Sequence, residues 1–168
     1  MGAISMSIAA HIKQSLELPS TVVRMYLEDL TDADLLVRPH PAMNHIAWQL
    51  GHLISSEHSH VEHVSPGAMP ALPSGFAARH TKMTAASDDA SDFLTKVEYL
   101  ATWQQQRTGS LTVLDGLTDE QLAEPAPEAI EYMGSTVGAV FAGEAVHWMM
   151  HAGQWAVIRR ALGKPPLF

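Results

Sequence analysis

The segment Glu144-Ala-Val-His147-Trp-Met-Met-His151-Ala-Gly-Gln154 constrains this chain more than any other. His147 and His151 are four residues apart, which on an α-helix sets both imidazoles on one face about one turn apart. Two nitrogens so spaced are what a single helix offers to one metal ion. At helical spacing Val140, His147, Met150, His151, Gln154, Ile158 and Ala161 form one stripe. Both histidines and Gln154 are therefore expected on the buried face of a long helix, where an unpaired polar group costs about 1–3 kcal/mol. A metal ion is the sharpest partner for the pair; Gln154 either orients a ligand or makes a structural hydrogen bond.

The rest of the chain also reads as helix, and the fold class expected is all-α. Long helical segments are expected over 5–28, with Pro19 as a break or kink, and over 44–64, with Asn44 as N-cap after Pro41. Two more are expected over 88–114 and over 135–162, the last closed by Gly163 and Pro165. Thr118-Asp-Glu-Gln121 reads as a capping box. The sequence has no alternating β-branched run bounded by hairpin turns. An internal repeat links Asp29-Leu30-Thr31-Asp32-Ala33-Asp34-Leu35 to Asp115-Gly116-Leu117-Thr118-Asp119-Glu120-Gln121-Leu122; each copy follows a long helix and precedes a His-bearing one. The architecture this implies is a four-helix bundle of two helical hairpins, joined by a long crossover at 65–87 that holds Pro66, Pro70 and Pro73. It makes one domain of 1–168, with the functional residues on the second and fourth helices.

Composition bounds the function. A 168-residue chain that is 46% hydrophobic can bury a sizeable core. A net charge of −8 argues against nucleic-acid binding. No run of apolar residues is long enough for a membrane span, and Met1-Gly-Ala-Ile-Ser-Met6 lacks a basic signal-peptide start, so a cytoplasmic location is expected. Cysteine is absent, which excludes disulfides, thiolate ligands and cysteine nucleophiles. Any thiol chemistry must use a small thiol supplied from outside.

Catalytic zinc sites use three protein ligands and keep one position open, so a third ligand is sought on the second helix. It offers His45, His52, His58, His60 and His63. His45, His52 and His63 share one line with Trp48, Ser56 and Ser59, but His45 and His63 are about 27 Å apart along the axis at 1.5 Å per residue. Only one of the three can meet the pair; His52 is midway and follows Gly51, which lets a neighbour approach closely. The apolar line Ile46, Leu50, Leu53, Ile54, Val61 and Val64 faces away from His52, so His52 is expected at a pocket edge. His45, His58, His60 and His63 are read as solvated or pocket-edge, and Trp48, Trp148 and Trp155 as core or pocket wall. A second metal reading uses Glu57-His-Ser-His60 and Glu144-Ala-Val-His147 as the paired Glu-x-x-His motifs of a di-iron carboxylate bundle, completed by Glu17 or Glu28 and Glu98.

Asn44-His-Ile-Ala-Trp48-Gln-Leu-Gly51-His52-Leu53, then His147-x3-His151-Ala-Gly153-Gln154 and Arg159-Arg160-Ala-Leu-Gly163-Lys164-Pro165, resemble in order and separation the DinB-like superfamily. That superfamily includes the YfiT-type proteins and thiol-dependent transferases. The resemblance covers most of the chain. It implies a four-helix bundle that holds a divalent metal, zinc or nickel, through three histidines, here His52, His147 and His151, and it implies a homodimer. Characterised relatives include S-transferases and isomerases that use bacillithiol, mycothiol or glutathione. The expected function is a metal-dependent enzyme, a thiol S-transferase or a hydrolase, acting on a small molecule; the alternative is a non-catalytic metal-binding or stress-associated bundle. Glu144 is the candidate general base, or the group that orients His147.

Overall fold

The computed structural model describes residues 6–165 and 167. The expected first-helix start at Ser5, and Pro166 and Phe168 of the C-terminal tail, lie outside the described residues. All regular structure among those described is helical, apart from one isolated antiparallel bridge between Pro125 and Thr136. In chain order the helices are α1 (Ile8–Leu27), α2 (Ile46–Val64), the single turn α3 (Phe76–Arg79), α4 (Lys96–Gly116), the short α5 (Asp119–Ala123) and α6 (Val137–Ala161). No described helix is long and apolar enough to cross a membrane.

Local chemistry fixes the boundaries. Thr95 and Glu98 form a reciprocal capping box at the start of α4, and Thr118 and Gln121 form the expected one at the start of α5. The third long helix therefore begins at Lys96 and not near Asp88; residues Ala90–Asp92 ahead of it form a 3-10 turn. The cap of α2 is His45, whose Nδ1 accepts from the Trp48 amide, and not Asn44. Pro19 does not end α1. Proline inside a helix costs about 3 kcal/mol or more, and here Pro19 is itself buried with Ile12, Leu16, Val22, Val23 and Leu27 on the packed face, whose burial outweighs that loss.

The closest helix pairs are α1 with α6 and α2 with α4, and α2 also packs on α6 and α1 on α4. The expected hairpins would put α1 beside α2 and α4 beside α6; the closest packing instead makes neighbours of helices from different halves. The core follows this arrangement, with Trp148, Trp155 and Ile158 of α6 packed among Leu50, Leu53 and Ile54 of α2.

The internal repeat has a physical counterpart. After α1, Thr31 and Asp34 exchange hydrogen bonds as Thr118 and Gln121 do after α4. Asp32 then accepts from the first amide of α4, Lys96, while the equivalent Asp119 accepts from the first amide of α1, Ile8. Each half thus caps the long helix that opens the other half. Lys96 Nζ reaches back to the carbonyls of Leu27, Glu28 and Leu30, at and just beyond the end of α1.

The connection between α2 and α4 is pinned along α2. His45 Nε2 donates to the Ser87 carbonyl, Trp48 Nε1 to the Thr81 carbonyl, and the His80 ring lies against Gly51. A β-carbon at Gly51 would sit 2.1 Å from His80 Cδ2. The close approach expected at this glycine is that of His80, which is itself held by the Phe76 carbonyl and the Tyr99 hydroxyl. Gly51→Ala should therefore destabilise the protein by about 1–3 kcal/mol through overpacking. Gly153→Ala, where an added carbon meets nothing within 4 Å, should stabilise by roughly 0.5–1 kcal/mol through helix propensity. Urea unfolding of the two variants checks the opposite signs.

Candidate metal centre

The buried face of α6 runs through Val137, Phe141, Glu144, Trp148, His151, Trp155 and Ile158. It is rotated from the expected stripe: Met150 is 58% exposed and Ala161 is exposed, while His147 and Gln154 are half-buried. His147 is therefore at the edge of the packed face, with His151 inside it. Across from them on α2, His52 is also half-buried and edges the apolar line, as expected. The ligand atoms of His52, His147 and His151 all lie within 4.8 Å of one another, a group that can hold a metal ion. Their ring centroids form a nearly equilateral triangle, with separations of 5.3, 5.4 and 5.2 Å.

Neighbours orient the rings. Trp48, one turn before His52, stacks on it with an interplanar angle of 6°. Gln49 Oε1 lies 2.8 Å from His151 Nδ1 and accepts the Trp155 indole N–H at 3.0 Å, while Gln49 Nε2 donates to the Asn44 carbonyl. An indole nitrogen only donates and a carbonyl only accepts, so the amide orientation is fixed at both ends. His151 Nδ1 must then carry the proton, which leaves the Nε2 lone pair available. This is the arrangement that supports a ligating histidine from behind. The partner is Gln49, not Gln154.

Burial favours neutral imidazoles. It lowers the His147 pKa to about 3 and the His151 pKa to about 4, and it lowers that of His52; neighbouring imidazoles add to the effect at His147 and His151, and His60 and Lys82 add to it at His52. Neutral imidazole is the metal-binding form. Beside His147, a surface cavity of about 280 Å3 is lined by Tyr132, Met133, Gly143, Val146, His147 and Met150.

Several expected roles change. Glu144 is 2% exposed and hydrogen-bonds to His60, not to His147. His60 and His45 are buried, not solvated: His60 pairs with Glu144 and Tyr132, and His45 caps α2. His58 hydrogen-bonds to Gln106, and His63 to its own helix backbone. The di-iron alternative loses its carboxylates. Glu57 accepts from Arg107, Ser110 and Trp148, and Glu98 belongs to the α4 capping box. Among the described residues only the three histidines converge as a metal-holding group. Sequence pattern does not single out Gln49, although a polar residue one turn from Ile46 and Leu53 on the apolar line is its signal. Tyr132 lies in a 3-10 turn before α6, too short for any periodicity to mark it.

Gln49→Leu should cost about 1–3 kcal/mol, because His151 and Trp155 lose their buried acceptor; denaturant unfolding measures it. Metal-free protein should also lose stability as pH falls. His80, whose pKa burial lowers to about 4, His147 and His151 stay neutral in the fold but take up protons on unfolding. Their contribution is complete above about pH 6.5, the unfolded value, and is lost as pH falls through the folded values of about 4 and about 3. Thermal melts across this range should show a midpoint rising with pH; a midpoint independent of pH contradicts neutral burial.

A family model described as the DinB superfamily matches residues 16–155. No curated protein and no solved structure matches the chain.

Proposed function

The chain belongs to the DinB superfamily, and we propose that it is a divalent-metal-binding protein and a metal-dependent enzyme of the thiol S-transferase or hydrolase type. We read its four long helices as one bundle and one domain, with the segment between α2 and α4 as the long crossover. The observation that carries the functional reading is the convergence of His52, His147 and His151 from two helices.

The donor set fits a zinc or nickel ion, both of which imidazole suits. Nitrogens around a tetrahedral zinc at about 2.0–2.1 Å lie roughly 3.4 Å apart, and the three ligand atoms here all lie within 4.8 Å of one another. His147 Nδ1 is buried with no hydrogen-bond partner, an orphaned polar atom within the group. When bound, the cation would act as a Lewis acid that lowers the pKa of a coordinated thiol or water. The protein's part is to present three neutral donors, which leave the ion's charge uncompensated. Gln49 and Trp48 hold two of those rings in place, and the cavity at His147 admits a small molecule. With no cysteine in the chain, the thiol of a transferase reaction would come from a low-molecular-weight co-substrate. The cavity supports chemistry over the alternative of a non-catalytic metal-binding protein. A cytoplasmic location and a homodimer belong to the same proposal; exposed Leu18, Val146, Met149 and Met150 on α1 and α6 support the dimer.

Elemental analysis after loading with zinc or nickel and dialysis should find about one ion per chain. His147→Ala and His151→Ala should lose it while keeping wild-type helical circular dichroism, and Gln49→Leu should weaken binding by about 10–100-fold. Zinc at a hundred times its Kd should raise wild-type stability by about 2.7 kcal/mol. Full metal occupancy in both histidine variants refutes the assignment.

A further inference from the structure

Tyr132 lies in the 3-10 turn Glu128–Met133 that leads towards α6. The residue is 73% exposed, yet its hydroxyl is 2.8 Å from His60 Nε2, and His60 Nδ1 is 2.5 Å from Glu144 Oε1. His60 and Glu144 are both buried. A turn, α2 and α6 thus supply one hydrogen-bonded chain that runs from the surface to an interior carboxylate. Its outer residue, Tyr132, lines the same cavity as His147. The hydrogen bond of Glu144 runs to His60 and to none of the three converging histidines.

The proton positions follow from the donor inventory. A carboxylate oxygen accepts from His60 Nδ1–H. Nε2 is then the acceptor for the Tyr132 O–H. The phenol oxygen keeps a lone pair with which it can accept a proton from the cavity side.

We propose that Tyr132, His60 and Glu144 form a proton relay that takes one proton from a donor in the His147 cavity and delivers it to the buried carboxylate. The donor's X–H bond breaks as a new O–H forms on Tyr132. The original Tyr132 O–H breaks as an N–H forms at His60 Nε2. The Nδ1–H breaks as an O–H forms at Glu144 Oε1. One proton moves, nothing is oxidised or reduced, and Tyr132 stays neutral. The terminus is suited to receiving a proton, because Glu144 Oε2 is buried with no hydrogen-bond partner and the anion is poorly solvated. Burial raises the Glu144 pKa, His60 opposes it, nearby Glu57 adds to the rise and Arg107 opposes it. The donor's identity, a thiol or water made acidic at the neighbouring centre, rests on the function proposed above; the relay itself rests on the hydrogen-bonded chain.

Two experiments separate the relay from the metal reading. In metal-free protein at neutral pH, long-range 1H–15N spectra should show His60 protonated at Nδ1 and not at Nε2. Tyr132→Phe, at a largely exposed position, should shift the Nε2 resonance and leave the fold intact. His60 protonated at Nε2 overturns the relay whether or not metal binds. Cobalt-loaded protein is then mixed with 2-mercaptoethanol and followed by visible and infrared absorption. A cobalt–thiolate charge-transfer band should rise together with a protonated-carboxyl stretch, and the stretch should be lost in Tyr132→Phe and in Glu144→Gln. The thiolate band without the carboxyl stretch in the wild type overturns the relay and leaves the metal centre standing. Failure of cobalt to bind overturns the proposed function, and the His60 tautomer alone then decides the relay.

Discussion

One amide oxygen sets the geometry on which the centre depends. Gln49 Oε1 accepts from two donors one turn apart on α6, His151 and Trp155, while its amide nitrogen is tied to the Asn44 carbonyl at the start of α2. That arrangement fixes the register of α2 against α6. With the register fixed, His52, one turn beyond Gln49, arrives opposite His147 and His151. The same oxygen decides which nitrogen of His151 bears the proton, so packing and ligand chemistry are set by a single group. Buried polar groups of this kind are costly when half-satisfied, and this one is satisfied at both ends.

The remainder of the fold holds those two helices in place. The capped connections of the two halves clasp each other's opening helix, through Asp32 at α4 and Asp119 at α1. Below the three histidines, Glu57 gathers Arg107 and Ser110 from α4 and Trp148 from α6, so a buried carboxylate joins three helices. Removing one partner of such a buried pair typically costs about 3–5 kcal/mol, because the other is left uncompensated. The segment after α2 lies along α2 through His45, Trp48 and Gly51, which buttresses Trp48 behind the His52 ring.

Much of this was legible in the sequence. The His147–His151 spacing carried the helix and the pair together, because both residues belong to one element and need only the helical period. The third member could be read from the midway position of His52 on α2, whereas the Gly51 signal has another cause, since the group that approaches that glycine is His80. The Leu-Thr-Asp repeat pointed to two related halves. Rotation was harder to read: α6 has apolar residues on several sides, so the stripe through Met150 competed with the true one through Trp148 and Trp155. The pairing of helices was hidden as well, since the repeat suggested a hairpin in each half where the closest packing joins the two halves. Roles of polar residues depended on partners far away in sequence. Glu144 meets His60 and Gln49 meets His151, and no local pattern encodes such contacts.

The resulting picture is a helical frame that gathers buried polar groups at one corner, where three neutral imidazoles meet beside a surface cavity and a separate Tyr–His–Glu chain. The DinB superfamily match, over residues 16–155, takes in both helices that bring the three histidines together. The most direct measurement is X-ray absorption at the zinc edge of the zinc-loaded full chain. Three imidazole nitrogens at about 2.0–2.1 Å with one further light ligand are expected. Two or fewer imidazoles, or a second metal at about 3.5–4 Å, would contradict a three-histidine centre.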